Sequence, residues 1–152
     1  MIPALQDGVL PVGLHDCTID EVVKAFGQFR RSDRRLQLTE RLLRFVEDAR
    51  RSGIVVAVII DGSYVTAKDE PNDIDLLLVL PSDFDLKEEM RPFEYNVQSK
   101  RMVRKLYGFD VLTALAGSET YLRLLAFFSR VRPNDPEQQT KQTHKGLLRI
   151  TL

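Results

Sequence analysis

The chain has 152 residues, of which 43% are hydrophobic and 29% are charged, so it is long enough to bury one ordinary core and too apolar for a disordered protein. Lysine plus arginine and aspartate plus glutamate number 22 each, so the net charge gives no argument for a surface that binds a polyanion overall. The single cysteine, Cys17, excludes an internal disulfide. We expect one domain over residues 1–152.

The first residues and the cysteine both indicate a protein of the reducing cytoplasm. Residues 1–14 lack the basic start and apolar core of a secretion signal, and no apolar run approaches the roughly 20 residues that cross a bilayer. Cys17 is more simply a small buried side chain than a nucleophile. With His15 and His144 as the only histidines, a zinc site is not expected. We predict a cytoplasmic protein that makes no membrane contact.

Residues 1–16 are predicted to form an irregular N-terminal arm, because prolines and glycines recur there. Its simplest role is a strap packed on the core through apolar side chains. Thr18 and Glu21 then have the spacing of a capping box, in which each side chain bonds the other's backbone amide. This pattern predicts a short helix to about Phe26, which Gly27 ends.

The next helix is predicted to begin at Ser32 or Asp33 and to run to Arg51, with Gly53 as its terminator. The residues expected on or close to its buried face are Leu36, Leu43, Val46 and Arg50, with Leu38, Leu42 and Phe45 beside them. Its many arginines are compatible with a partner surface, but a solvated amphipathic face explains them more simply.

Two apolar runs, residues 54–60 and 74–80, have the length and composition of strands buried on both faces. Asp73 and Asp75 lie at the mouth of the second run, and because side chains alternate along a strand, both carboxylates fall on one face. Such carboxylates are costly unless they are paired or bind a metal. An acidic strand start or a turn cap is the alternative interpretation of the pair.

Beyond the second run the pattern predicts a helix over residues 93–106 with one basic side, closed by Gly108. A third strand is predicted over residues 109–112. Asp110 lies within it among apolar neighbours. It is either a third carboxylate of the same site or an aspartate that faces water on an edge strand.

Ser118 or Thr120 is predicted to cap a last helix, which runs to about Val131. Residues 132–145 are rich in proline and polar side chains, which predicts a mobile loop. Residues 146–152 are predicted to form a terminal strand added to the edge of the sheet.

Gly62 and Ser63, which follow the first strand, are candidates for binding the phosphates of a nucleotide. Glycine lets the backbone approach a triphosphate closely, and the serine hydroxyl and nearby amides can donate to phosphate oxygens. Lys68 adds a positive charge to the same loop. A plain turn between two strands is the alternative, and the distance to Asp73 and Asp75 disfavours it.

Gly62, Ser63, Asp73 and Asp75 together resemble the signature of the minimal nucleotidyltransferases of the DNA polymerase β-like superfamily. That signature is Gly-Ser, a short gap, and Asp-x-Asp at the opening of a hydrophobic strand. Asn72 stands where many members have serine. The match to these elements is fairly specific.

Residues 61–68 and 71–76 are also similar to a bacterial family of uncharacterised, stand-alone nucleotidyltransferase-like proteins. The similarity extends to residues 14–26 and 145–152, so it covers most of the chain. It implies a polymerase β-like fold of the α/β (α+β) class, with a small mixed sheet of three to five strands flanked by helices.

The resemblance also implies an activity, which is transfer of a nucleoside monophosphate from a nucleoside triphosphate to a hydroxyl of a protein, an RNA or a small molecule. In the superfamily a third acid on a neighbouring strand completes the set, and this role is carried over to Asp110. Asp73, Asp75 and Asp110 are then expected to be catalytic and to bind two Mg²⁺ ions, for which Mn²⁺ can substitute. Asp110 would also receive the proton of the attacking hydroxyl. Gly62, Ser63 and Lys68 are expected to bind the nucleotide.

Two features depart from the superfamily pattern. Residues 64–68 read Tyr-Val-Thr-Ala-Lys, whereas the more usual loop has arginine or glycine after Gly-Ser. The chain also lacks room for the extra domains that fix the base and the acceptor in larger relatives, so a partner protein or a homo-oligomer is expected to complete the site. Many small members are halves of toxin–antitoxin or defence pairs, which implies a partner protein or tRNA as the acceptor.

Two other functions are weighed against the enzyme. A non-catalytic module would keep the fold and bind a nucleotide or a partner, and the intact carboxylates argue against it. A structural DNA-binding protein would need a net basic face, which the neutral composition does not support.

Overall fold

The computed structural model describes residues 1–27, 33–132 and 140–152. Within these ranges the strands are β1 (Leu14–Asp16), β2 (Ala57–Asp61), β3 (Asp75–Leu80), β4 (Asp110–Leu115) and β5 (Leu147–Thr151). The helices are α1 (Ile19–Phe26), α2 (Asp33–Ser52), α3 (Pro92–Gln98), α4 (Lys100–Tyr107) and α5 (Glu119–Phe128). A single 3₁₀ turn, Ser63–Val65, follows β2.

The strands form one mixed sheet in the order β1-β5-β2-β3-β4. The central strand β2 runs antiparallel to both β3 and β5, whereas the outer pairs β1/β5 and β3/β4 are parallel. The prediction of a small mixed sheet flanked by helices, in an α+β arrangement, is therefore confirmed. Among the described helices none is long and apolar enough to cross a membrane.

Helices cover both faces of the sheet, and this explains why β2 and β3 are apolar along their length. On one face Val58 and Ile60 join a large core with side chains of α1, α2, α3 and α4. On the other face Ala57 and Ile59 join a smaller core with side chains of α5. Each buried isoleucine or leucine in these strands contributes about 1.5–3 kcal/mol to folding. The prediction that both strands are buried on two faces is confirmed.

The starts of α1 and α5 were predicted correctly because their signals are local. The capping box before α1 is present, with Glu21 N donating to Thr18 Oγ1 at 3.2 Å and Thr18 N donating to Glu21 Oε2 at 2.8 Å. Gly27 ends that helix as predicted. Ser118 Oγ caps α5 by accepting from Tyr121 N at 3.1 Å, which decides between the two predicted caps.

The single helix predicted over residues 93–106 is wrong, because the structure has two helices there, α3 and α4. Ser99 lies between them with an extended backbone, φ −71° and ψ 123°. Its hydroxyl accepts from Met102 N and so caps α4, which makes a local turn competitive with a continuous helix. Gly108 closes α4 in the left-handed conformation at φ 77°, as expected.

The predicted face of α2 is also partly wrong. Leu36 and Leu43 are 53% and 40% exposed, whereas Leu38, Leu42 and Phe45 pack in the core. Leucines lie on both sides of this helix, so its periodicity alone does not identify the buried side. The tertiary contacts select the stripe that also contains the buried Arg35.

Two predictions about the ends of the sheet are corrected. The arm over residues 1–16 is not wholly irregular, because it contains β1, which forms the outer edge of the sheet. The terminal strand β5 is not at that edge but lies between β1 and β2. Burial raises the pKa of the half-buried Cys17, just after β1, to about 11, as expected of a packed thiol and not of a nucleophile.

Element boundaries differ from the predictions by a few residues. The first predicted strand begins later, at Ala57, the third runs on to Leu115, and the last helix ends at Phe128. Half of the loop predicted over residues 132–145 falls on residues 133–139, which lie outside the described residues. Its last part, residues 140–145, has irregular backbone apart from an isolated β-bridge.

Candidate active site at the end of strands β2, β3 and β4

A cavity of about 1250 Å³ lies at the end of the sheet where β2 stops and β3 and β4 start. One wall is formed by the ends of these strands and by the turn after β2. The opposite wall is formed by the end of α5 and by residues 140–145. The volume exceeds the roughly 300–1000 Å³ of most small-ligand pockets, so the cavity has room for more than one substrate.

A row of three carboxylates crosses the strands at the floor of this cavity. Asp61 pairs in register with Asp75, and Asp75 pairs with Asp110. Alternation along each strand places the three side chains on the face that α5 covers. Like charges directly opposite each other destabilise a sheet, so this row is costly unless positive charge lies among its members.

The outer two carboxylates of the row each have a cationic partner. Lys145 Nζ lies 2.9 Å from Asp61 Oδ1, and both side chains are almost fully buried, at 6% and 7% exposure. Arg104 Nη1 donates to Asp110 Oδ1 at 2.9 Å in an exposed pair. Among the described residues, neither a hydrogen bond nor an ion pair engages the side chain of Asp75, which is the middle member of the row.

This arrangement raises the pKa of Asp75 to about 7. Burial is the largest cause, and the carboxylates of Asp73, Asp61 and Asp110 raise the pKa further, whereas Lys145 lowers it. Burial also raises the pKa of Asp61 in spite of its contact with Lys145. The floor of the cavity therefore holds more negative charge than its own cations neutralise.

The turn after β2 packs directly on the chain that leads into β3. Gly62 has φ 97°, and a Cβ at this position would lie 2.9 Å from Asp73 O and 3.0 Å from Asp75 N, so only glycine fits. Ser63 N and Ser63 Oγ donate to Asp73 Oδ1 at 2.9 and 2.6 Å. The Ser63 hydroxyl also accepts from Asn72 N at 3.0 Å, so the turn and the start of β3 form one unit.

A buried arginine holds the rest of this loop in place. Arg35 of α2 is 0% exposed and donates to the carbonyl oxygens of Phe26, Tyr64, Thr66 and Lys68. One guanidinium thereby supplies donors to four carbonyl oxygens. Nothing in the sequence pattern of α2 indicated this role.

The structure brings five of the six predicted site residues to one cavity. Those that line it are Gly62, Ser63, Asp73, Asp75 and Asp110. Lys68 does not line it, and its backbone carbonyl oxygen is bonded to Arg35 instead. The predicted roles of these residues stay predictions, but the predicted neighbourhood of Asp110 and the Asp-x-Asp strand is present in the register of β3 and β4.

The donor set suits a hard divalent cation, because carboxylate oxygens are the ligands that Mg²⁺ prefers. The uncompensated charge around Asp75 fits the same kind of ion. In this conformation, within the residues that the structure describes, no three carboxylate, histidine or cysteine side chains converge enough to hold a metal. Asp73 is turned to Ser63 and Asp110 to Arg104, so these carboxylates must turn to share an ion with Asp75.

Sequence reasoning missed two members of the site, Asp61 and Lys145. Asp61 had a usable signal, because a carboxylate at the end of a buried strand is as costly as the one at Asp75. The antiparallel hairpin of β2 and β3 also places the two opposite each other. Lys145 had no local signal, since it lies in a polar segment and reaches Asp61 only through the fold.

Comparisons with known proteins give one match. A model described as a family of unknown function, DUF6932, matches residues 3–151. No curated protein and no solved structure matches the chain significantly.

Proposed function

The chain belongs to the DUF6932 family, whose function is unknown, and we propose that it is a metal-dependent nucleotidyltransferase. It transfers a nucleoside monophosphate from a nucleoside triphosphate to an acceptor hydroxyl and releases pyrophosphate. A partner protein or a second copy of the chain completes the acceptor side, as in a toxin–antitoxin or defence pair.

The observation that carries this proposal is the position of Asp75. It lies between Asp61 and Asp110 in the row, has a raised pKa and, among the described residues, has no cationic partner of its own. A carboxylate in this state favours a bound cation. It pairs with Asp61, the residue before Gly62, so it lies beside Gly62 and Ser63, which line the same cavity and whose backbone is the proposed site of the triphosphate.

The order of elements supports a polymerase β-like fold for the same domain. The strand β2, the Gly62-Ser63 turn and the Asp-x-Asp strand β3 follow one another, and the parallel strand β4 brings a third acid beside them. Helices lie on both faces of this sheet.

Each residue of the site has a defined task in the reaction. Asp73, Asp75 and Asp110 would hold two Mg²⁺ ions, which would neutralise charge on the triphosphate and make the acceptor hydroxyl more acidic. Gly62 and Ser63 bind the phosphates. Asp110, on the exposed end of the row, receives the proton of the acceptor hydroxyl once its bond to Arg104 opens. The rate arises mainly from positioning and electrostatic stabilisation.

Calorimetric titration of ATP, GTP, CTP and UTP with MgCl₂ tests the proposal. Wild type is expected to bind at least one triphosphate only when magnesium is present, and the double variant Asp73→Ala/Asp75→Ala is expected to lose that binding. Asp83→Ala/Asp85→Ala is the matched control, because it removes two exposed carboxylates of one short turn outside the cavity. Failure of all four triphosphates to bind, or equal losses in the two double variants, would contradict the proposal.

A non-catalytic module that binds a nucleotide or a partner is the second candidate. It is favoured by the contacts that already occupy two carboxylates, Asp73 with Ser63 and Asp110 with Arg104. Such a module would bind a triphosphate with little dependence on magnesium. It would also fail to transfer a labelled nucleotide to any component of a cell extract.

A further inference from the structure

The wall that faces the carboxylates across the cavity is basic. Arg130, Arg132 and Lys141 all line the cavity and are exposed. Within the described ranges no ion pair engages any of the three. The whole chain has no net charge at pH 7, yet the carboxylates lie on one wall of the cavity and these cations lie on the other. The basic wall is thus a local feature, which net charge could not have revealed.

This basic wall is built into the fold. Val131 N donates to Thr143 O at 3.0 Å, and Lys145 N donates to Ser129 O at 2.8 Å, so the end of α5 and residues 140–145 are joined by backbone bonds. The buried pair of Lys145 and Asp61 then fixes the segment to β2.

One acid lies close to this wall on its outer side. Asp7 Oδ2 of the N-terminal arm accepts from Lys141 N at 2.7 Å and from Thr140 Oγ1 at 3.0 Å. The Asp7 carboxylate is thus engaged by a backbone amide and a hydroxyl, and the nearby charge of Lys141, which also lines the cavity, helps to lower its pKa.

An exposed aromatic ring lies next to the basic wall. Phe127 is 57% exposed although it lines the cavity, and its ring centroid is 5.8 Å from that of Phe128, which is buried. The planes of the two rings are tilted by 50° to each other. An exposed aromatic ring beside arginines is the combination that stacks the bases of single-stranded nucleic acids while cations follow the phosphates.

The geometry points to the end of a single-stranded polynucleotide as the acceptor, an inference that rests on the proposed nucleotidyl transfer and adds its substrate class. Phosphates of the strand bind Arg130, Arg132 and Lys141, and a terminal base stacks on Phe127. The carboxylate floor repels the phosphates, so only the terminal sugar with its hydroxyl approaches Asp75 and Asp110. That hydroxyl attacks the α-phosphorus of the triphosphate, one P–O bond forms, the bond to pyrophosphate breaks, and the hydroxyl proton passes to Asp110.

Acceptor binding can be measured apart from the reaction. Fluorescence anisotropy of a labelled single-stranded RNA of mixed sequence, and of DNA of the same sequence, is recorded at low salt without triphosphate or magnesium. Arg130→Ala/Arg132→Ala is expected to weaken binding at least tenfold and to reduce the slope of log K against log[salt] by about 1.4, that is about 0.7 for each phosphate contact. Arg101→Ala/Lys105→Ala is the matched control, since it removes two exposed cations of α4 outside the cavity.

The aromatic contact has its own pair of variants. Phe127→Ala is expected to weaken binding about fivefold or more, which is the usual loss on removing a ring that stacks one base. Leu122→Ala removes an apolar side chain of the same helix that is 60% exposed and does not line the cavity, and it is expected to leave binding unchanged.

The outcomes separate this inference from the proposed function. Cavity-dependent binding of either strand supports the inference, and a preference for RNA over DNA assigns the 2′-hydroxyl a part in recognition. Equal losses in the cavity and control variants, or no binding by wild type, overturn it, and a protein acceptor then takes its place. Triphosphate binding without polynucleotide binding leaves the proposed function intact. Polynucleotide binding without triphosphate binding would support a binding site for a single strand but contradict the proposed transferase activity.

Discussion

The two walls of the cavity are fastened to the molecule in different ways. On the carboxylate side, the loop over residues 62–68 is held by side chains, above all by Arg35, which bonds carbonyl oxygens along it. On the opposite side, residues 140–145 are held by backbone bonds to the end of α5, by bonds from Thr140 and Lys141 to Asp7, and by the buried pair of Lys145 with Asp61. The first wall is fixed mainly by a buried network of side-chain bonds, whereas the described contacts of the second are mainly backbone bonds and exposed side-chain bonds.

The difference would suit the transferase that we propose, which has one constant substrate and one variable substrate. Triphosphate and metal ions have the same shape in every turnover, so a loop that is fixed before they bind saves ordering entropy. An acceptor strand differs in sequence from one molecule to the next. A wall whose cations are exposed adapts to it at small cost. Variants that remove the contacts of one wall or of the other test whether the two walls differ in this way.

The largest expected effect comes from removing the anchor of the fixed wall. Arg35→Met keeps most of the side-chain volume but leaves buried carbonyl oxygens without their donor, and we expect it to lower the free energy of unfolding by about 4 kcal/mol. Urea denaturation measures the loss. Arg50→Met on the same helix is the control, because its exposed pair with Glu47 is worth less than about 0.5 kcal/mol. Equal losses of stability in Arg35→Met and Arg50→Met would show that Arg35 does not fix this wall.

The second effect concerns the only ion pair that ties the basic wall to β2 among the described residues. Lys145→Met leaves Asp61 buried and unpaired, so we expect a loss of about 3 kcal/mol at pH 7.5. Lys145→Met/Asp61→Asn should recover most of it, because no buried charge is then left without a partner. A double variant as unstable as the single one would show that the pair does not act through charge.

The same variant has a defined dependence on pH. Burial raises the pKa of Asp61 above its ordinary value of 3.8, and loss of Lys145 raises it further. An acid whose pKa is higher in the folded chain destabilises the fold as pH rises above its unfolded pKa, and this cost disappears below that value. The difference in stability between wild type and Lys145→Met should therefore shrink as pH is lowered from 7.5 toward 4, as urea titrations at several pH values can measure.

A smaller loss of stability with a full loss of function is expected at Gly62. Gly62→Ala places a Cβ against the backbone of Asp73 and should cost about 2 kcal/mol and abolish triphosphate binding. Gly117→Ala is the matched control, because Gly117 also has positive φ, 69°, but no atom lies within 4 Å of its Cβ position. The control should lose about 1 kcal/mol and keep binding. If calorimetry finds binding unchanged in Gly62→Ala, the turn does not bind phosphate.

The smallest expected effect is that of Lys68→Ala. Its side chain does not line the cavity, and the bond that fixes its part of the loop uses the backbone carbonyl oxygen, which alanine retains. We expect a triphosphate affinity within about twofold of wild type. A tenfold loss of affinity in calorimetry would return Lys68 to the nucleotide site that its sequence position suggested.

Features that depend on residues close together in the sequence could be predicted. The caps of α1 and α5 follow from a few neighbouring residues, and the structure contains them. Asp73 and Asp75 were predicted to share one face of a strand; both line the cavity, but β3 begins only at Asp75, and Asp73 lies in the loop before it. The meeting of Asp110 with Asp75 needed the pairing of β3 with β4, for which the resemblance to a superfamily supplied the missing information.

What could not be predicted depends on contacts between distant residues. Arg35 looks like one of several exposed arginines of α2 until the fold shows the carbonyl oxygens around it. The pairing of Lys145 with Asp61 joins residues from opposite parts of the sequence. The interior position of β5 also escaped prediction, because a strand pattern indicates a strand but not its neighbours in the sheet.

The interior position of β5 has a consequence for the kinetics of folding. Asp16 and Arg149, which are 133 positions apart, meet across β1 and β5 at 2.6 Å. The hairpin of β2 and β3 can form early, but the strand beside it arrives from the far end of the described chain. Because chains rich in such distant contacts fold slowly, we expect closure of the sheet, and with it the arrival of Lys145 beside Asp61, to be the late and rate-limiting event of refolding.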